Sequence, residues 1–592
     1  MDIKKRIEML RKEMEKNQIK AYIIPSSDYH QSEYVAKYFK YREWISGFTG
    51  SAGTVVITTD KAGLWTDGRY FIQANKELEN SDIELFKMGI PNVPDYSEWL
   101  LAELEEGDKV GFDGRTLSVN QYNKMELMFK NKGLILEHKL DFIDRLWENR
   151  PEIPNGKIFK HDVKYSGKST LDKLNEVRVS MREKGATAYF ISSLDDIAWL
   201  FNLRGQDVAN NPVFLSYSLI TLEKAILFVD KNKVKDLDLS DFNKDNIEVI
   251  DYNEVQSVVN YLNSHDKVLM DAEKTNIYMY KIIESKSKVL LEDNITSKFK
   301  AIKNPIEIKN LKHCQIKDGV AMVNFIHWLK SNIGKEEITE ISATEALEDF
   351  RAQQESFIEP SFDTIAAYKE HGAMMHYKAT KEKEHNLKAE GFFLVDSGGQ
   401  YLDGTTDITR TIVMGKLTEE EKRDFTLVLK GHIGLSNAIF LYGTTGSNLD
   451  ILARKPMWDR FIDYKSGTGH GVGFLLNVHE GPHRISTIPN NVRLELGMII
   501  TNEPGIYREG KHGIRTENTL LVVEKGETEF GKFFGFETIS YCPIDLEAIE
   551  VELLTEEERN WVNQYHSMVY EKLSPHLKEE QKQWLYSVTK AI

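Results

Sequence analysis

The stretch Ala21-Tyr22-Ile23-Ile24-Pro25-Ser26-Ser27 returns in altered form as Ala188-Tyr189-Phe190-Ile191-Ser192-Ser193. A helical pattern precedes each copy, amphipathic at the N-terminus and spanning about 170–184 before the second. Each copy is a short apolar run closed by small polar residues, which reads as a buried strand entering a turn. A recurring theme constrains a chain strongly, because every copy must build the same supersecondary unit. We therefore read 1–155 and 156–304 as two diverged copies of one α/β domain. Their boundary lies in Arg150-Pro151-Glu152-Ile153-Pro154-Asn155-Gly156, where two prolines and an Asn-Gly pair disfavour helix and strand alike. At 592 residues the chain is also too long for a single core.

The third block, 305–592, is of another kind. After Lys303-Asn304-Pro305 comes a long helical pattern over 307–331, then strand-like runs at 392–395, 408–414, 498–502 and 520–523. An amphipathic stretch, Glu556–Leu573, lies near the end. Helices and strands mixed in this way predict an α+β domain, not the alternation of a doubly wound sheet.

Charge and composition remove several functions. There are 92 acidic against 76 basic residues, a formal net charge of −16, and nucleic acid calls for the opposite balance. No apolar run approaches the ~20 residues of a membrane span. The first residues, Met1-Asp2-Ile3-Lys4-Lys5-Arg6, have no apolar segment behind them, so no secretory signal is expected. Cys314 and Cys542 are too few for a disulfide framework or a cysteine-rich metal site, and fit a reducing compartment. A cytoplasmic protein with neither nucleic acid nor membrane as partner is expected.

Several motifs fail on inspection. Gly167-Lys168-Ser169 resembles the end of a phosphate loop, but Asp162 stands where the loop's first glycine belongs. Gly467-Thr468-Gly469-His470-Gly471-Val472-Gly473 lacks dinucleotide spacing and a framing strand–helix unit. The one His-Glu-x-x-His string, at 479–483, carries Gly481-Pro482 at its centre and does not suit the helix of the usual zinc proteases.

What remains is rich in carboxylates. An apolar strand ends at Asp396 before Ser397-Gly398-Gly399, and Asp407 follows eleven residues on. As a strand, the second segment places Asp407, Thr409 and Thr411 on one face with Ile408 and Ile412 on the other. A hairpin between the two segments would bring the aspartates together. His470 stands among four glycines, which permit positive φ and let other backbone approach closely. Glu503 ends an apolar strand, and Glu517 precedes another; Arg515, on the same strand face as Glu517, can support its carboxylate. Taken singly, each is an ordinary turn former, strand end or structural histidine. Together, four converging carboxylates would repel unless cations sat among them, and oxygen donors with one imidazole suit Mn²⁺, Zn²⁺ or Co²⁺. Residue patterns alone leave both readings open.

In order and spacing these residues resemble the metal signature of the pita-bread metallopeptidases. Within that family the chain most resembles the long, three-domain cytosolic aminopeptidase P type. The likeness spans nearly the whole chain. Ser27-Asp28-Tyr29-His30, Gly47-Phe48-Thr49-Gly50-Ser51-Ala52-Gly53-Thr54 and Leu64-Trp65-Thr66-Asp67-Gly68-Arg69-Tyr70 are similar to first-domain hallmarks. Leu194-Asp195-Asp196-Ile197-Ala198-Trp199-Leu200 is similar to a second-domain one, although Trp65 and Trp199 suit core packing equally well. His479-Glu480-Gly481-Pro482 completes the match.

The resemblance implies two creatinase-like α/β domains, 1–155 and 156–304, that wall the cleft, and a pita-bread catalytic domain, 305–592. It implies Asp396, Asp407, His470, Glu503 and Glu517 as ligands of two divalent metal ions, Mn²⁺ foremost, with Asp407 and Glu517 shared. His376 and His479 become catalytic residues that contact substrate around the scissile carbonyl, and Glu503 also relays a proton. Arg69 becomes a substrate contact and Arg515 a support beside the shared glutamate. The implied activity is hydrolysis of the N-terminal Xaa-Pro bond of peptides by a homodimer. Alternatives within the fold are a prolidase cleaving Xaa-Pro dipeptides and a metal-free peptide-binding module, which loses ligands that this chain keeps. One departure stands out: Ser466 replaces the first histidine of the usual His-Gly-Thr-Gly-His, a substrate-side position.

Overall fold

The computed structural model describes residues 2–592 and divides into two compact units. The first comprises residues up to His161 together with Lys168–Thr296, and the second Asp162–Gly167 with Ser297–Ile592.

The first unit contains two six-stranded sheets with one topology. In the first, the spatial order is Glu84–Lys87, Ala62–Thr66, Thr54–Thr58, Ala21–Pro25, Lys109–Gly111, Ile135–Glu137. In the second it is Ile247–Ile250, Ala225–Val229, Ser216–Thr221, Ala188–Ile191, Lys267–Met270, Lys288–Leu291. Numbered by occurrence, both run 4-3-2-1-5-6. Strand 1 is antiparallel to strand 2, strand 2 to strand 3, and the remaining pairs are parallel, in both sheets alike. The echoed segments Ala21–Pro25 and Ala188–Ile191 are the equivalent, fully buried inner strands. An inner strand covered on both faces needs a continuous apolar run, which is why this part of the repeat stays readable. The supposed phosphate loop is plain helix punctuation. Gly167 takes φ +71° after a short helix, and Ser169 caps the helix Thr170–Glu183 by accepting from Asp172 N.

In the second unit the helix Pro305–Asn332 is set by a capping box between Asn304 and Glu307 with proline at the first turn. It is buried on two sides: Val320 and Val323 join one core cluster, and Met322, Phe325, Ile326 and Leu329 another. One three-stranded sheet joins Ile365–Tyr368, Phe392–Ser397 and Ile408–Val413. A six-stranded sheet runs in the order Ile439–Leu441, Gly531–Thr538, Asn518–Thr528, Ile499–Asn502, Gly469–Gly471, Glu480–Ile485. Helices Glu419–Ser436, Gly446–Trp458 and Glu556–Leu573 complete the α+β arrangement. The segment Asp162–Gly167 belongs here, held by Asn310 Nδ2 on the Lys164 and Tyr165 carbonyls at 3.1 Å. Among the described residues no helix is long and apolar enough to cross a membrane.

Two buried histidines make this unit sensitive to acid. His432 Nδ1 donates to the Asn502 carbonyl at 3.1 Å, and its Nε2 accepts from Asn518 Nδ2 at 3.1 Å, a pairing that requires a neutral ring. Burial, then the Arg410 charge, pulls its pKa down to about 3. His566 Nε2 accepts the Ile544 N–H at 3.0 Å, and burial pulls it down to about 4. Unfolded, both would titrate near about 6.5. Below that pH the unfolded chain takes up protons that the folded chain refuses, so stability falls as pH drops, by on the order of 3 kcal/mol per histidine at pH 4. Above pH 7 neither contributes a slope. Denaturant midpoints recorded from pH 7.5 to 4.5 check this: a flat profile, or one unchanged in His432→Asn, contradicts it.

Candidate metal centre

The predicted hairpin forms. Phe392–Ser397 pairs antiparallel with Ile408–Val413, with Asp396 opposite Thr409, and Asp407 immediately precedes the second strand. Ile408 and Ile412 enter the core, leaving Thr409 and Thr411 on the face that carries the polar network. Thr409 Oγ1 donates to Glu517 Oε2 at 2.8 Å, and Thr411 Oγ1 donates to the Arg515 carbonyl at 2.9 Å. Glu503 follows the strand Ile499–Asn502 and accepts from Thr501 Oγ1 at 3.1 Å. Glu517 lies between the strands His512–Arg515 and Asn518–Thr528, with its N–H donating to the Thr409 carbonyl at 3.2 Å.

His470 is presented by crowded backbone. A side chain at Gly469 would collide with the Thr501 carbonyl oxygen, and one at Gly471 with that of Glu480. Close approach of neighbouring strands is thus the reason for these glycines, and neither is at positive φ. His470 Nε2 lies 3.4 Å from Asp407 Oδ2 and 3.3 Å from Glu503 Oε1, and its Nδ1 donates to the Gly471 carbonyl at 2.8 Å. That bond leaves Nε2 as the atom that could bind a metal. The His479 ring stands 4.2 Å from the His470 ring, nearly perpendicular to it.

Donor atoms of Asp407, His470 and Glu517 all lie within 4.8 Å of one another, and the three are largely buried. The electrostatics of the metal-free protein are correspondingly unfavourable. Burial, then Glu517, Asp396 and Glu503, push the Asp407 carboxyl well above the usual carboxylate range. Burial, then Glu503 and Asp396, do the same to Glu517. His470 rises to about 9, since the Glu503 carboxylate outweighs the opposing effect of burial. Glu503 falls to about 2 against the pull of burial, because it accepts from His470. Asp396 Oδ1 is buried with no hydrogen-bond partner among the described residues. A buried anion with an idle oxygen, beside two carboxyls that cannot ionise together, is the signature of a site completed by cations. The residues present therefore fit a divalent metal centre.

Arg515 departs from the expected arrangement. Its guanidinium pairs through Nη2 with Asp396 Oδ2, donates from Nε to Thr409 Oγ1 at 3.1 Å, and from Nη1 to the Tyr507 hydroxyl at 2.6 Å. It thus supports Asp396 directly and Glu517 through Thr409, because the strand breaks at Thr516 and Glu517 where one continuous strand was anticipated. Strand alternation had set Thr409 on the face of Asp407, but Thr501 and Tyr507 were not singled out from the sequence, and nothing local marks Tyr507.

The remaining residues lie as follows. His376 and His479 are both partly exposed, with His376 in the connection after Lys369–Ala373 and His479 just before Glu480–Ile485. Buried Lys303 pairs with buried Glu480, anchoring the chain next to His479. Ser466 has its carbonyl held by Arg454 Nη2 at 2.9 Å. Arg69 belongs to the first unit, where Nε and Nη2 grip Asp67 at 2.8 Å each.

Comparisons with known proteins show which family the chain is similar to. The family described as metallopeptidase family M24 matches residues 309–524, and the C-terminal region of that peptidase family matches 532–592. The creatinase/prolidase N-terminal domain matches twice, over 6–136 and 149–307. The chain is 42% identical to Xaa-Pro aminopeptidase 1 of Dictyostelium discoideum, over 100% of this chain and 97% of that protein. It is 40% identical to aminopeptidase P2 of Arabidopsis thaliana, over 97% of this chain and 86% of that protein. The crystal structure of an X-prolyl aminopeptidase from Caenorhabditis elegans, described as a cytosolic enzyme with a di-nuclear active site, is 35% identical. It covers 100% of both chains with a TM-score of 0.96. A Xaa-Pro dipeptidase from Bacillus anthracis shares the fold over 64% of this chain, with 23% identity and a TM-score of 0.50.

Proposed function

The chain belongs to metallopeptidase family M24, in its Xaa-Pro aminopeptidase branch, and on that basis we propose that it removes the first residue from oligopeptides whose second residue is proline. The observation that carries this reading is the cluster of Asp407, His470 and Glu517 with Glu503 beside it and Arg515 on Asp396. Full-length likeness to aminopeptidases, against partial likeness to a dipeptidase, favours oligopeptides over dipeptides.

Asp396, Asp407, His470, Glu503 and Glu517 would hold two divalent ions, Mn²⁺ by the hardness of an oxygen-rich set. When bound, such a pair supplies an activated water and polarises a carbonyl. The side chains do the rest. Arg515 and Thr409 fix the carboxylates, leaving little reorganisation for the reaction. His376 and His479 contact the substrate around its scissile carbonyl and stabilise charge on its oxygen, and Glu503 passes a proton to the departing proline nitrogen. Arg69, held by its pair with Asp67, is assigned to substrate binding. Three segments, 1–155, 156–304 and 305–592, are the functional divisions.

A proline bond lacks an N–H and fixes φ near −65°, so proteases that bind substrate as an added strand lose a hydrogen bond there. Stripping metal, restoring Mn²⁺ and comparing Arg-Pro-Pro with Arg-Ala-Pro tests the proposal. Discrimination of at least about 100-fold in kcat/KM is expected, and equal cleavage of both defeats it. Faster cleavage of the dipeptide Arg-Pro than of Arg-Pro-Pro would indicate the prolidase reading instead.

A cytoplasmic homodimer is the accompanying proposal. The edge strand Ile439–Leu441 of the six-stranded sheet leaves Ile439 64% and Leu441 45% exposed, an apolar edge that invites pairing with a second copy. Lysine at both positions is expected to convert dimer to monomer in sedimentation; an unchanged mass rejects that edge as the interface.

A further inference from the structure

Glu340, the first residue of the helix Glu340–Ala352, is fully buried, yet its carboxylate touches none of the metal-site residues. Instead it gathers four points of one segment. Oε1 accepts from Tyr368 N at 2.7 Å and faces His371 Nδ1 at 2.9 Å, and Oε2 accepts from the Tyr377 hydroxyl at 2.8 Å and from His385 N at 2.9 Å. Burial and this neighbouring carboxylate push the Tyr377 phenol above its usual range, so the hydroxyl stays a donor. The Glu340 N–H in turn donates to the His385 carbonyl at 3.1 Å, and Leu387 N donates to the Ile338 carbonyl at 2.8 Å. Three rings close the clasp. His371 stacks on His385 at 3.8 Å and 3°, and on Tyr377 at 4.4 Å and 28°.

The clasped segment is the one that carries His376. It leaves the strand Ile365–Tyr368, whose Ile365 pairs with Asp396. Gly372 passes so close to Gly513, in the strand that ends at Arg515, that a side chain on either would collide with the other's backbone. Tyr377, next to His376, packs with Ile365 and Leu394 of the strand pair that reaches Asp396. The segment that carries His376 is thus held by the clasp and also packed against the strands of Asp396 and Arg515.

We infer that Glu340 is a positioning residue for His376: one buried carboxylate, through the ends and middle of residues 368–385, sets where the substrate-side histidine stands. The inference rests on the aminopeptidase reading for His376 but not for the clasp itself. A neutral amide at position 340 cannot accept from both Tyr377 and His385 N while also serving Tyr368 N, so Glu340→Gln frees part of the segment.

The test measures Xaa-Pro cleavage by Mn²⁺-loaded protein in wild type, Glu340→Gln, His376→Ala and the double variant, together with metal content and hydrogen exchange over residues 368–385. Expected are a fall in kcat of about 10-fold or more in Glu340→Gln with KM changed less than about threefold, unchanged metal, and faster exchange in that segment. In the His376→Ala background the same substitution should cost less than about twofold, because its effect runs through His376. Equal losses in both backgrounds, or an unaltered kcat, overturn the inference. Should Glu340→Gln be insoluble, Tyr377→Phe keeps the ring and removes one donor; it is read in the same way, with an expected fall of about three- to tenfold. Wild type inactive on Xaa-Pro peptides would refute the functional reading, whereas exchange unaltered by the substitution would refute the clasp.

Discussion

Glu517→Gln is expected to abolish hydrolysis and, in metal-free protein, to raise thermal stability above that of wild type. The two effects share a cause. Glu517 is one of three donors within 4.8 Å, and the neighbouring Asp396, Asp407 and Glu503 already crowd it with like charge. Cations convert that crowding into a binding site; without them it is a defect. A neutral amide keeps the shape and can still accept from Thr409, but cannot serve as a shared anionic ligand. Bound metal should fall well below two per chain by mass spectrometry, and kcat/KM by at least about three orders of magnitude. After chelation the variant should unfold later than wild type by on the order of 1–3 kcal/mol, since an amide carries neither the repulsion nor the forced proton uptake that burial and the neighbouring carboxylates impose on Glu517. A variant that keeps both metal and activity refutes the ligand assignment. One that loses both without gaining metal-free stability refutes the electrostatic account alone. Stability and catalysis are set against each other at this position, as is common where a site stores repulsion.

The second large effect concerns a residue that touches no metal ligand's carboxylate. Arg410 occupies the face of its strand opposite Thr409 and is 2% exposed. Its guanidinium reaches the carbonyls of Thr409, Glu517, Cys542 and Pro543, Asn518 Oδ1 and the Tyr565 hydroxyl. One side chain therefore ties the hairpin of Asp407, the strand break at Glu517 and the helix Glu556–Leu573 into one body. Arg410→Met keeps much of the volume but leaves several buried acceptors without a donor, which is expected to destabilise the unit by on the order of 3–5 kcal/mol. Lysine should rescue little, because a single ammonium cannot present five donors in a planar fork. Denaturant midpoints of both variants measure this, and a loss below about 1 kcal/mol would show that water substitutes for the guanidinium.

The proposed ligands could be picked out in the sequence because each stands beside an apolar run at a turn or a glycine, a local event. The duplicated topology was legible for a similar reason, since Ala21–Pro25 and Ala188–Ile191 are buried on both faces and tolerate little else. What stayed hidden is long-range. Arg410 meets Tyr565 across 155 positions, and Glu340 meets His385 across 45. No pattern within a window of a dozen residues records such pairings. The glycines beside His470 were conspicuous, but whether they answered a backbone torsion or a crowded neighbour depended on Thr501 and Glu480, which local spacing does not place. Likewise Asp162–Gly167 reads as part of the second repeat yet packs with the catalytic unit, through contacts to a helix more than a hundred residues on.

The wide scatter of the centre's parts has a consequence during synthesis. Its donors enter the chain one at a time between positions 396 and 517, and the body that Arg410 ties together needs Tyr565, close to the end. Contacts of such sequence separation form late, since every intervening loop must close first. A chain whose synthesis has not yet reached Tyr565 therefore lacks one of the ties that hold the hairpin of Asp407 and the segment of Glu517 in one body, and synthesis itself delays the assembly of the centre.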